Sequence, residues 1–88
     1  MGDPDRVRRK KLFYRASHRG TREADLLLGT FAERNLARFD ARQLDEFEAL
    51  LEIEDGLLYL WIAGRAAPPA ERCSEVMRLL LDFRLRLR

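Results

Sequence analysis

A single cysteine, Cys73, among 88 residues leaves no intramolecular disulfide, and a lone thiol suits a reducing compartment better than an oxidising one. There is also only one histidine, His18, too few ligands for a four-coordinate structural zinc site, so no metal is expected. Proline occurs only at positions 4, 68 and 69, which leaves Asp5 to Ala67 without that helix breaker. β-Branched residues are confined to Val7, Val76, Ile53, Ile62, Thr21 and Thr30, and no window alternates with period two, so strands have little support. The longest apolar runs, such as Leu57 to Ala63, fall far short of the roughly 20 residues that span a bilayer, so no membrane insertion is expected. The five glycines are scattered at 2, 20, 29, 56 and 64, which excludes a glycine-rich phosphate loop. The acidic opening from Met1 to Asp5, followed by charge, reads as no signal peptide.

Leucine, alanine, arginine and glutamate dominate what remains. At this length folding hides roughly 60 to 65% of the unfolded chain's surface, enough for one small core and too little for a deep enzyme pocket. A single domain over residues 1–88 is expected, with 1–4 and 84–88 frayed. The net charge of +2 conceals an asymmetry: residues 1–22 sum to +6, 23–55 to −7 and 56–88 to +3. Basic ends around an acidic middle either neutralise one another within the fold or present separate charged faces to a partner.

The pattern predicts five helices in a compact antiparallel all-α bundle. The first runs over Asp5 to Ser17, entered through Pro4 and Asp5 and broken at Gly20. The second covers Arg22 to Phe39, capped by Thr21, with Gly29 inside it marking a close helix contact. Asp40 to Gln43 resembles a capping box that opens a third helix on Leu44, Phe47, Leu50 and Leu51, ending near Ile53. Asp55 is expected to cap a fourth from Leu57 to Ile62, apolar nearly all round and therefore central, stopped by Gly64. After Pro68 and Pro69 a fifth carries Cys73, Val76, Met77, Leu80 and Phe83 on one stripe.

Catalytic constellations are thin. Ser17 and His18 are neighbours, but a nucleophile and its base must converge with a third, orienting group. Neither a catalytic residue nor a cofactor-binding residue is assigned. The run from Arg8 to Lys11, with Phe13 and Tyr14 after it, could track phosphates and stack bases, which makes a basic nucleic-acid or polyanion binder the second reading. The acidic middle third would repel a polyanion, so nucleic acid is not the expected partner. The segment from His18 to Asp25 sets a glycine in a tight turn open to close approach, with an arginine before it and Glu23 and Asp25 in the first turn of the next helix. Spacing alone favours a plain turn and helix start.

The segment Arg19-Gly20-x-x-Glu23, followed by Asp25, Leu28 and Phe31, resembles the signature of the succinate dehydrogenase assembly factor family, the SdhE or flavinylation-factor proteins of bacteria and mitochondria. The stretch from Tyr14 to Ala32 looks like its alphaproteobacterial version, and Leu50-Leu51-Glu52 with Asp55 to Trp61 extends the likeness over nearly the whole chain. One departure is Glu54-Asp55-Gly56, where family members often have an acidic turn such as Asp-Pro-Asp.

The resemblance implies a helical bundle that binds the flavoprotein subunit of succinate dehydrogenase, and in some bacteria fumarate reductase, and promotes covalent attachment of FAD to a client histidine. It implies a monomeric maturation factor rather than an enzyme, with FAD belonging to the client. Its place would be the bacterial cytoplasm, or the mitochondrial matrix in a eukaryote. The client-binding residues it implies are Arg19, Gly20 and Glu23, with Arg22 and Asp25 beside them, while Trp61, Leu28 and Phe31 fall to the core. Gly20→Arg is then expected to leave the melting nearly unchanged while abolishing client binding.

Overall fold

The computed structural model describes residues 4–86, and among these every regular element is helical. The order is α1 (Pro4–Ser17), α2 (Arg22–Asn35), α3 (Ala41–Leu51), α4 (Asp55–Ile62) and α5 (Glu75–Arg86), with 3-10 turns at Leu36–Arg38 and Ala70–Arg72. The expected all-α class and its five helices are present. Pro4 and residues 84–86 are helical, whereas 1–3 and 87–88, where the expected frayed ends also fall, lie outside the described residues. The radius of gyration, 12.6 Å, is close to the value of about 12 Å for a compact chain of this length.

α1 and α2 form an antiparallel hairpin. At one end Gly29 lies so near α1 that a Cβ on it would stand 3.2 Å from Ser17 Cβ, the close contact expected of that glycine. At the other, Arg9 donates from Nε to the Leu36 carbonyl (2.9 Å) and from Nη2 to that of Phe39 (2.8 Å). α3 runs parallel to α1, and ion pairs ascend the two in register: Arg8 with Asp45 and Glu48, Arg15 with Glu52, Arg19 with Asp55. Three arginines of the basic first third thus pair with four carboxylates of the acidic middle inside the fold. Hydrogen bonds that Arg8 donates to Asp45 and then to Glu48 raise its pKa above the ordinary guanidinium value. The more exposed pairs of Arg8 and Arg15 add little stability, so their main effect is to fix register.

Phe31 sits at the centre of the core, its ring centroid 6.1, 5.8 and 5.6 Å from those of Phe39, Phe47 and Phe83. Leu28, Leu44, Val76, Met77 and Leu80 close around it, and Trp61 is buried as expected.

Helix ends show where local rules were sufficient and where tertiary contacts overrode them. Asp40 forms the full capping box, accepting from Gln43 N while Gln43 Oε1 accepts from Asp40 N. Gly64, at φ +76°, ends α4 in a Schellman motif, with Arg65 N donating to Leu60 O and Gly64 N to Trp61 O. The second helix, expected to reach Phe39, stops at Asn35 and tightens into a 3-10 turn, which lets Phe39 fold back into the core. Asp55 does not cap α4: Glu54 is the N-cap without a side-chain bond, and Asp55 is the first helical residue, turned to Arg19. α4 is also not central, because Leu57, Tyr59 and Leu60 are exposed and only Leu58 and Trp61 are buried along it. Cys73 lies before α5 rather than on its stripe. α5 starts after Ser74, whose Oγ accepts from Met77 N, while Glu46 of α3 accepts from Val76 N. No helix among the described residues is long and apolar enough to cross a membrane.

Candidate functional site

The turn between α1 and α2 is built by its own residues. Gly20 adopts φ +112°, a region where L side chains are strained, and no atom lies within 4 Å of the place a Cβ would occupy. The glycine therefore supplies a conformation and an open approach to the backbone. Asp25 Oδ1 accepts from the amides of both Arg19 (2.5 Å) and Gly20 (3.2 Å), pinning the turn to the first turn of α2. Thr21 caps the helix as expected, its Oγ1 accepting from Ala24 N at 3.2 Å.

Arg19 points inward. Its guanidinium donates to the carbonyls of Leu51 (2.5 Å) and Ile53 (2.7 Å) and to Asp55 (2.8 Å), and the side chain is only 10% exposed. These carbonyls lie where α3 ends, with no intrahelical donor left for them and the negative end of the helix dipole beside them. One side chain thus ties the α1–α2 turn to the α3–α4 elbow.

Of the five residues singled out in the sequence, the structure places all on one turn but gives them two directions. Arg19 and Asp25 spend their polar groups inside the molecule. Arg22 and Glu23 are exposed, as is Gly20. The strained φ at Gly20 also corrects the stability expected of Gly20→Arg, since any side chain there distorts the turn even without a clash.

Sequence reasoning missed the stacking of Tyr14 on His18, rings 4.0 Å apart and 16° from parallel, on the exposed flank of the same turn. Their i, i+4 spacing was the available signal. His18 Nδ1 donates to the Tyr14 carbonyl at 2.8 Å, and the Ser17 hydroxyl donates to the Phe13 carbonyl at 2.7 Å. With its Nδ1 proton on the Tyr14 carbonyl, His18 meets the Ser17 hydroxyl at 3.4 Å without accepting its proton. Among the described residues no group of three His, Cys, Asp or Glu side chains is placed to hold a metal ion. The basic run is also divided: Arg8 pairs with α3 and Arg9 with backbone carbonyls, which leaves Lys10 and Lys11 as its exposed members.

Residues 10–84 match the family model described as the flavinator of succinate dehydrogenase. The FAD assembly factor SdhE of Acetobacter pasteurianus is 40% identical over 81 residues, covering 91% of this chain and 74% of the relative. The mitochondrial succinate dehydrogenase assembly factor 2 of Dictyostelium discoideum is 40% identical over 72 residues, 82% of this chain and 51% of the relative. That of Candida glabrata is 38% identical over 80 residues, 86% of this chain and 52% of the relative. The chain spans about three quarters of the bacterial relative and about half of these mitochondrial ones. A helical chain whose arginine, glycine and aspartate build one turn, and whose sequence matches over residues 10–84, belongs to the flavinator of succinate dehydrogenase family.

Proposed function

We propose that this chain is an assembly factor that binds the flavoprotein subunit of succinate dehydrogenase and promotes covalent attachment of FAD to it. The observation that carries this reading is the family match over residues 10–84, which includes the whole α1–α2 turn. The chain acts as a maturation factor and not as an enzyme, with the new bond forming inside the client between a client histidine and the flavin. Its own contribution is to hold the client in a geometry where that reaction is favoured.

Within the turn the five residues divide the work. Glu23 and Arg22 offer exposed charges for hydrogen bonds to the client, and Gly20 admits close approach of the client backbone. Arg19 and Asp25 act as positioning residues that hold the turn in shape. FAD remains with the client and is not held stably by this chain. The flavoprotein subunit of fumarate reductase is a second client of the same chemistry. The factor works as a monomer in the cytoplasm of a bacterium, or in the mitochondrial matrix of a eukaryote.

The test is covalent flavin fluorescence of the client on a denaturing gel, with the client produced with and without this chain. A strong increase in its presence supports the reading. Equal fluorescence with both proteins expressed overturns it for this client.

A further inference from the structure

The turn described above accounts for one side of the α1–α2 hairpin, yet a broad apolar opening lies next to it, between α2 and α4. Leu27, Leu58, Tyr59 and Ile62 line it, and Glu23 and Asp55 are its charged lining residues. Among the described residues no basic side chain lines it, although the chain as a whole is cationic. Asp55 is already neutralised by Arg19, whereas Glu23 is exposed at the rim, so the groove presents one uncompensated negative charge beside an apolar floor. Along the same short helix Leu57, Tyr59 and Leu60 stand 44, 58 and 40% exposed, an unusual density of apolar surface for a helix of 8 residues.

From this arrangement we infer that the α2–α4 groove is the seat of an amphipathic helical segment of the client flavoprotein subunit, one that carries a single lysine or arginine among apolar side chains and sets that cation on Glu23. The inference rests on the assembly reading and adds which surface and which client chemistry make the contact. Charge complementarity argues for this occupant over two others. The flavin cofactor carries an anionic diphosphate, which an acid-rimmed groove without a base disfavours. A second copy laid groove to groove across a two-fold axis would bring two Glu23 carboxylates together. A helix with i, i+3 and i+4 apolar anchors and one cation satisfies both the floor and the rim.

The experiment is calorimetric titration of the unmodified chain and four variants into the purified, flavin-free flavoprotein subunit of succinate dehydrogenase, with circular dichroism melts alongside. Tyr59→Ser removes exposed apolar surface and Ala24→Trp fills the groove from α2; each is expected to raise Kd about tenfold or more. Leu79→Ser, a similar change on exposed α5 surface, is expected to change Kd less than about twofold. Glu23→Gln is expected to flatten the salt dependence of binding. Should Ala24→Trp fail to fold, Tyr59→Ser still decides, because its side chain is mostly in solvent. Binding by the unmodified chain that neither groove variant weakens overturns the groove and leaves the assembly reading standing. No binding by the unmodified chain overturns both. A chain that sediments alone as a dimer, dissolved by Ala24→Trp, makes a second copy the occupant and overturns the assignment to the client.

Discussion

Arg19 and Asp55, 36 residues apart in sequence, meet at 2.5 Å where the α1–α2 turn rests on the start of α4. The same guanidinium holds the last carbonyl of α3, that of Leu51, and that of Ile53 just beyond it, so an arginine of the motif is a beam of the architecture. Arg19→Ala is expected to destabilise the fold by about 2 to 4 kcal/mol, because it leaves two carbonyls and a carboxylate without their donor. Urea denaturation followed by circular dichroism checks this, and a loss under about 0.5 kcal/mol would show that water replaces the guanidinium at no cost.

Gly20 and its neighbours make a different prediction, about backbone rather than side chains. Gly20→Ala and Gly20→Arg should both keep the helical signal but lose about 1 to 2 kcal/mol, since φ +112° is unfavourable for any L residue. A synthetic chain with D-alanine at position 20 should melt close to the unmodified one, because the mirror-image residue accepts that φ. Equal melting of the L- and D-alanine chains would contradict the assignment.

Asp25 fastens the turn by accepting two backbone amides. Asp25→Ala should therefore accelerate hydrogen exchange at the amides of Arg19 and Gly20 while leaving those of α3 and α5 protected, with an overall loss of about 1 to 2 kcal/mol. Unchanged exchange at both amides would remove Asp25 from the turn.

The α1–α2 contact at Gly29 predicts a steric effect. Gly29→Leu must drive a side chain into the space held by Ser17 and is expected to cost about 2 to 3 kcal/mol, well beyond the small gain in helix propensity. A thermal melt distinguishes this from tolerance at a surface position.

The parts of this molecule legible in its sequence are those governed by neighbours in the chain. The capping box at Asp40 and Gln43, the Thr21 cap and the Gly64 stop obey local rules, and each was found as expected; the close approach at Gly29 was also found, because a glycine inside a helix marks the place another helix comes near. Where a distant group decides, local reasoning erred. Asp55 has the chemistry of a cap, but Arg19 claims it from another helix. Helix α4 is apolar enough to be central, yet eight residues ending in a Schellman turn give it a place at the surface, with Leu57, Tyr59 and Leu60 outside. The motif itself was legible as a list of residues on one turn. Which of them face inward depends on the end of α3, where the carbonyls of Leu51 and Ile53 lie more than 30 residues from Arg19.

The central claim is that the outward charge of the turn promotes flavin attachment in the client while Arg19 and Asp25 hold its shape. It is tested most directly by following covalent flavin accumulation in the purified, flavin-free subunit of succinate dehydrogenase supplied with FAD. Three samples are compared, with no factor, with the unmodified chain and with Glu23→Ala, whose exposed side chain makes its loss nearly neutral for folding. The account predicts fast accumulation with the unmodified chain and a rate about tenfold or more lower with Glu23→Ala, at equal melting temperatures of the two factors. Equal rates with the unmodified chain and Glu23→Ala would contradict it.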